Sequence, residues 1–447
     1  MPAVNIVDVS YVAVPAMATL PPEPIKLTAM ETLWLPVPVL QHVLFYEGAG
    51  VSPPFETVVR SLRTSLGLTL PRFAPLAGEL VYLEDTVDLA IACSASSGVK
   101  FVTAESDADA RRLAGDESQD LQTLESLVPQ LDMGRLPMPV LAVQATRLQG
   151  GLAIGVTMHH GVADGKSFWM FVEAWAAACR GEAPTATPCF DRSVIKWSSG
   201  EEIDKSFLRK FAPYFPLVPQ AESFLGERKQ LIRRTFTVDA QQLERLKDLI
   251  ARDGEAHGEA HGAPLHRPPS SFVAVLAMAW TFFARCKTSA ADDGDVFVFF
   301  FADVRARLDP PVDPGYFGAC LTGCRVSLPV RDVHADGALP AAASALQEGI
   351  RRMAEDPLAG WNFPSQARGK GPADRVMNVS GSAGFRPYDV ADFGWGKPRR
   401  TEPIRLNRDG QLALVRAADG HGVQISISLL QQAHMDAFKS QLLELLG

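Results

Sequence analysis

Cysteine is scarce in this chain: six in 447 residues, at Cys93, Cys179, Cys189, Cys286, Cys320 and Cys324. No two form a C-x-x-C pair and no dense framework of the small secreted kind is present, so reduced thiols in a cytosol are expected. Long apolar runs are missing as well. No segment offers the roughly 18 uninterrupted apolar residues of a membrane span, and the start, "MPAVNIVDVSYVAVP", has neither a basic leader nor a continuous apolar core. A soluble, cytoplasmic protein without a signal peptide is the expectation. Positive charge is also in deficit, with 43 Lys and Arg against 51 Asp and Glu and a formal net charge of -8. Phosphate neutralisation needs the opposite surplus, which argues against nucleic acid as the main partner.

What the chain has is ordinary globular composition, 47% hydrophobic and 21% charged, and length for about two or three domains. "FETVVRSLRTSLGLTLPRF" carries Val58, Val59, Leu62, Leu66 and Leu70 at a helical period, closed by Pro71. "VLAVQATRLQGGLAIGVTMHH" reads as two buried strands joined at Gly150 and Gly151. Leu152, Ile154, Val156, Met158 and His160 share one parity and one face; His159 points the other way. "SFWMFVEAWAAACR" then sets Phe168, Phe171, Val172 and Trp175 at i, i+3, i+4 and i+7, the stripe of a helix.

Residues 181 to 230 are rich in Pro, Ser and charge and lack sustained periodicity, as a connection between two halves would. Beyond them, "PSSFVAVLAMAWTFFARC" reads as a buried helix and "DVFVFFFADVRAR" as a core strand. "QLALVRAADGHGVQISISLL" reads as a hairpin, followed by a helix on Met435, Phe438, Leu442 and Leu445. Strands and helices alternate in both halves, which predicts an α/β or α+β sandwich in two domains: 1–185, a crossover at 186–230, and 231–447. "DGEAHGEAHGAPLH", 253 to 266, holds His257, His261 and His266; as Gly-rich repetitive sequence it reads as a mobile loop, and no metal role is assigned.

The chemistry concentrates in "TMHHGVADGKS", residues 157 to 167, where a strand turns into a helix. A general base must change charge near neutral pH and be held toward its proton, and a histidine at a strand's mouth satisfies both. Asp164 either orients His160 directly, in the manner of a triad, or turns away and fixes the loop. Arg305 follows Phe297, Phe299 and Phe301 with the same parity, so a buried carboxylate partner would suit it and Asp164 is the candidate. The plainer alternative is a hydrogen-bonded core histidine with Asp164 capping the next helix. "DFGWG", residues 392 to 396, has no H-R-D loop or Gly-rich phosphate loop before it, which excludes a protein kinase. Its glycines beside Trp395 read as a sharp, anchored turn.

H-x-x-x-D in mid-chain with D-F-G-W-G near the end resembles the plant BAHD acyltransferases, which use acyl-CoA donors. The likeness runs through "LTAMETLWLPVPVLQHVLFY", "LPRFAPLAGEL", "CFDRS", "DVRARLDPPVDPGYFGAC" and "VSGSAGFRPYDVADFGWGKP". H-H-x-x-x-D-G also marks chloramphenicol acetyltransferase and the condensation domains of peptide synthetases, similar in fold. The resemblance implies a monomer of two chloramphenicol-acetyltransferase-like domains, each a mixed β-sheet flanked by helices, with a channel between them. It implies His160 as general base and Asp164 facing Arg305. Asp392, Gly394, Trp395 and Gly396 would be structural support away from the chemistry.

Acyl-CoA is implied as cosubstrate, with no permanently bound cofactor and no metal. Its phosphates would be met by Ser270, Ser271, Ser380, Ser382, Lys397, Arg399 and Arg400. "YFGAC" and "VSGSAGF" resemble the branch that acylates anthocyanin and other phenolic glucosides, commonly from malonyl-CoA, with Ala319 where that branch has Asn. The expected acceptor is therefore a hydroxyl of a phenolic or flavonoid glucoside; the donor is malonyl-CoA, with hydroxycinnamoyl-CoA second. Arg180 is the candidate for a malonyl carboxylate, or else a cap on its helix. The alternatives are a condensation-type transferase fed by a carrier-protein thioester and a silent ligand-binding member of the fold.

Overall fold

The computed structural model describes residues 3–16, 19–37, 39–48, 53–94, 96–115, 120–219, 230–261, 267–358 and 373–447, with only the backbone over 256–261. The chain divides into two compact units. The first comprises Met1–Gly226, Leu308–Cys320 and Pro387–Arg405; the second comprises Glu227–Arg307, Leu321–Arg386 and Leu406–Gly447.

The first unit carries strands β1 (Val4–Ala13), β2 (Ile25–Lys26), β3 (Leu40–Glu47), β4 (Glu79–Leu83), β5 (Asp88–Ala92), β6 (Gly98–Asp109), β7 (Met138–Pro139), β8 (Leu141–Gln149) and β9 (Gly151–Met158). Its helices are α1 (Ala29–Thr32), α2 (Phe55–Thr69), α3 (Ala110–Leu113), α4 (Leu121–Ser126), α5 (Gly165–Cys179) and α6 (Gly200–Phe211). The second unit adds β10 (Ile232–Val238), α7 (Ala240–His261), α8 (Ser271–Lys287), β11 (Asp295–Asp303), β12 (Leu321–Pro329), α9 (Val330–Val333), α10 (Ala338–Glu355) and β13 (Val376–Gly381). The chain then returns to the first unit for β14 (Arg400–Pro403) and ends in the second with β15 (Gln411–Arg416), β16 (Val423–Leu429) and a helix over Gln432–Leu446.

The main sheet of the first unit runs β1-β6-β8-β9-β3-β14 and is mixed, because β6 and β8 are parallel while the other neighbours are antiparallel. A smaller antiparallel sheet, β2-β5-β4-β7, accompanies it. All eight residues of β9 are buried, as a strand covered on both faces must be. The helices α2 and α5 pack together, burying Val58, Leu62 and Leu66 along with Phe168, Phe171 and Trp175, and the Trp175 indole donates to the Leu62 carbonyl at 3.1 Å. The second unit's sheet, β10-β16-β15-β13-β11-β12, is also mixed. Residues Val273 to Ala284 of α8 are buried without a break, so the helix is a core element rather than an amphipathic one.

The division into two units is not linear along the chain. DFGWG belongs to the first unit, because β14, just after it, satisfies its backbone against β3, with Arg400 opposite Phe45 and Pro403 opposite His42. Nor is 186–230 a bare crossover. Within it α6 has Glu201 and Glu202 in its first turn and Arg209 and Lys210 in its last, matching the helix dipole, and it packs on α1. The expected loop at 253–266 is helical as far as His261, the end of a helix anchored by buried Leu243, Leu246 and Ile250. His266 lies outside the described residues. None of the six cysteines is in a disulfide. Among the described residues no helix is long and apolar enough to cross a membrane.

Candidate active site

The strand β9 delivers two histidines to the turn before α5, and they meet different surroundings. His159 is fully buried; its Nδ1 accepts the Gly161 N–H at 3.0 Å, while its Nε2 has no hydrogen-bond partner. Burial, reinforced by His160 alongside, pushes its pKa down to about 3, so it is a neutral core histidine. His160 has an enclosed Nδ1 with no partner in strict hydrogen-bond geometry, while its own main chain and that of Ala163 lie close enough to act on the ring. Burial lowers its pKa to about 4; its own main chain, the Asp164 carboxylate and the Ala163 main chain pull the other way. At neutral pH the ring is uncharged.

Trp34, two residues beyond α1, lies flat on that ring, with centroids 3.7 Å apart and planes within 5°. The rest of the turn is fixed by Asp164. Its Oδ1 accepts the Ser167 N–H at 2.9 Å, the N-cap of α5, and its Oδ2 accepts the Cys320 N–H at 3.2 Å. The Ser167 hydroxyl and the Gly318 main chain lie within hydrogen-bond distance at 3.1 Å. Asp164 therefore serves the loop and the helix start. Arg305 holds Asp303 through Nη1 at 2.9 Å, and since it belongs to the second unit its pairing with Asp164 stays an expectation.

The segment YFGAC is woven into the same turn through residues that carried no role in the sequence reading. A buried carboxylate, Glu31, is the hub. It accepts from the Thr28 N–H at 2.8 Å and the Thr28 hydroxyl at 3.1 Å, from Arg192 Nη2 at 2.8 Å and Nε at 3.3 Å, and from the Tyr316 hydroxyl at 3.2 Å. Thr28-x-x-Glu31 is a readable capping-box pattern, but its partners Arg192 and Tyr316 come from distant segments. Gly318 is required for space: a Cβ there would sit 2.2 Å from Glu31 Oε1. Ala319, which stands where the resemblance expects Asn, is fully buried between Gly318 and Cys320.

DFGWG lies at the other end of α5. The Asp392 carboxylate accepts the N–H groups of Gly394 at 2.8 Å and Gly396 at 3.1 Å, and both glycines have positive φ, 106° and 103°. Phe393 and Trp395 stack at 5.7 Å, Trp175 meets Phe393 edge-on at 4.9 Å, and the Tyr46 hydroxyl donates to the Ala391 carbonyl at 2.7 Å. Arg180, the C-cap of α5, donates to the Asp392 carbonyl and pairs with Glu182 at 2.5 Å. Fifteen helical residues, about 22 Å, separate it from the histidine turn. Arg180 thus has a place at the end of α5, the helix-cap alternative to a malonyl contact.

The remaining candidates lie on both units. Ser270 caps α8, its hydroxyl accepting the Val273 N–H at 3.3 Å, and Ser271 opens that helix. The Ser380 hydroxyl donates to the Leu412 carbonyl at 3.3 Å, and that of Ser382 accepts the Gly384 N–H at 3.0 Å. Lys397 pairs with Asp389 at 2.8 Å and Arg399 is exposed beside Glu47. Arg400 is buried and donates to the Ala114 carbonyl at 3.0 Å. Among the described residues no group of three or more His, Cys, Asp or Glu side chains could hold a metal.

The model of the Transferase family matches residues 7–445. The chain belongs to this family, the BAHD acyltransferases. It is 28% identical to malonyl-CoA:anthocyanidin 5-O-glucoside-6''-O-malonyltransferase of Arabidopsis thaliana, over 96% of this chain and 95% of that one. It is also 28% identical to phenolic glucoside malonyltransferase 1 of the same plant, over 91% and 90%, and 27% identical to its agmatine coumaroyltransferase over the whole of both. Among solved structures, vinorine synthase matches with a TM-score of 0.75 at 21% identity, covering 99% of this chain and 98% of that one. TRI101 of F. sporotrichioides, in complex with coenzyme A and T-2, matches with a TM-score of 0.67 at 18% identity over 93% and 97%. This BAHD chain has the two-unit α/β fold of those proteins and is an acyl-CoA-dependent acyltransferase.

Proposed function

We propose that this BAHD chain transfers malonyl from CoA to a hydroxyl of a phenolic or flavonoid glucoside, with His160 as general base. The observation that carries the reading is an uncharged imidazole at the mouth of β9, on a turn that Asp164 fixes through the Ser167 and Cys320 N–H groups. Nε2 takes the acceptor's hydroxyl proton as its oxygen bonds to the thioester carbon. The tetrahedral oxyanion then collapses, the carbon–sulfur bond breaks, and the imidazolium returns its proton to the CoA thiolate. An ester and free CoA result, without an acyl-enzyme. A pKa near 4 makes the ring a weak base at rest, and the oxyanion forming beside it offsets the cost of charging it.

For CoA phosphates we propose Ser270, Ser271, Ser380 and Ser382 on the second unit, and Lys397 and Arg399 on the first. Ser270 at the N-terminus of a long helix supports the choice through the helix dipole. Malonyl is favoured by the names of two relatives and hydroxycinnamoyl by a third. The agmatine coumaroyltransferase relative also brings an amine acceptor into the second reading.

The test crosses malonyl-CoA and coumaroyl-CoA with flavonoid glucosides, simple phenolic glucosides and amines, reading products by mass, with His160→Ala alongside. Malonylated glucosides from the native chain and none from the variant are expected. Full activity in the variant removes His160 as base. Turnover only from a carrier-protein thioester supports the condensation-type alternative, and CoA binding without any product supports the silent one.

A further inference from the structure

The polar edge of the base's ring is held by main-chain groups alone, its own and that of Ala163, and Nδ1 makes no well-formed hydrogen bond among the described residues. The Asp164 carboxylate accepts the Ser167 and Cys320 N–H groups. An imidazole held so lightly at its edge keeps its direction only if its faces are packed against rotation about the outer side-chain torsion. The indole of Trp34, flat against the ring at 3.7 Å, blocks that rotation.

The indole is itself held in place. It follows α1, a helix of four residues that would not persist alone, and Glu31 of α1 collects donors from Thr28, Arg192 and Tyr316. The Trp34 main-chain N–H donates to the Glu31 carbonyl at 3.1 Å, which fixes the backbone under the indole, and that carbonyl lies 3.1 Å from where a Cβ on Gly161 would be. The hub, the indole and the histidine turn are thus one packed unit. An indole face also attracts a cation, so the contact strengthens when the ring becomes imidazolium, the charge state in which proton transfer leaves it.

We infer that Trp34 is the positioning residue of His160, fixing the imidazole plane and favouring its charged form during transfer. The inference rests on His160 being the base, and the experiment separates the two. Trp34→Phe, Trp34→Leu and His160→Ala are prepared in the full chain and assayed with malonyl-CoA and a flavonoid glucoside. The order parameter of the His160 Cε1–H group is measured by NMR, its signal identified by its loss in His160→Ala.

The Leu variant is expected to lose about ten- to thirtyfold in kcat with the KM for malonyl-CoA within about twofold, and the Phe variant to recover most of it. The ring's order parameter falls in Leu and holds in Phe. An unchanged kcat in Leu, a loss confined to KM, equal losses in Phe and Leu, or an imidazole equally ordered without the indole would each overturn the inference. Should the Leu variant not fold, Trp34→Met fills similar volume without a π face and takes its place. Activity surviving in His160→Ala instead rejects the proposed base, while the order parameter still reports on the ring contact alone.

Discussion

The two ends of α5 differ in how they treat polar atoms. At the N-terminal end, His159 Nε2 and His160 Nδ1 are enclosed without hydrogen-bond partners, and the turn is held from outside by Asp164, Ser167 and an indole face. At the C-terminal end, the Asp392 carboxylate, its carbonyl and Arg180 satisfy one another across a glycine turn, leaving Trp395 Nε1 as the enclosed orphan. Leaving a buried ring nitrogen unpaired costs roughly 1–3 kcal/mol, and among the described residues the histidine end carries two such atoms on one turn where the other end carries one.

The comparison breaks most sharply on His160→Ala. We expect a loss of about 10²- to 10⁴-fold in kcat with the melting temperature within a few degrees of the native protein. A variant that unfolds without a specific loss of rate would place His160 with the loop rather than with the chemistry.

Acid gives the next effect. The folded-state pKa of His160 is near 4 against an ordinary 6.5, so between those values the unfolded chain binds more protons than the folded one. Stability carried by this ring is therefore full above about pH 6.5 and is lost as pH falls toward 4; His159 acts in the same direction down to about 3. The acid limb of kcat/KM should likewise fall near pH 4 rather than near 6.5. Initial rates and melting temperatures in parallel from pH 4 to 8 check both, and a limb near 6.5 would mean that the ring is solvated.

The smallest effects belong to the far end of the helix. Asp392→Ala frees two glycine N–H groups and should lower stability by about 1–3 kcal/mol, and Gly394→Ala by about 1 kcal/mol, since its φ of 106° suits no side chain. Thermal melts measure both, and kcat per folded molecule should stay within about threefold. A large specific loss of kcat would erase the contrast between the two ends.

Periodicity made much of the fold legible. The β8–β9 hairpin, the stripe of α5, the buried run of α8 and the alternation of β16 all lie where hydrophobic spacing puts them. Local pattern failed where partners are remote. The four residues of β14, Arg-Thr-Glu-Pro, have no alternation to read, and only pairing with β3 makes them a strand of the first unit. The helical stretch through 253–261 carries Gly254 and Gly258, each costing about 1 kcal/mol, and continues from a start anchored by buried leucines. At the site, the histidine and aspartate stand out from their spacing, whereas Trp34, Glu31, Arg192 and Tyr316 meet only once the chain is folded.

That the first unit is assembled from three separate stretches has a bearing on its birth. A ribosome delivers β9 and the histidines early, yet Tyr316, Gly318 and Cys320 emerge only after a long stretch of the other unit has been made, and β14 later still. Until about residue 320 is synthesised the nascent first unit lacks the groups that hold its histidine turn, and until about residue 405 it lacks an edge strand. Truncated products of this chain are thus expected to be inert and prone to degradation rather than partly functional.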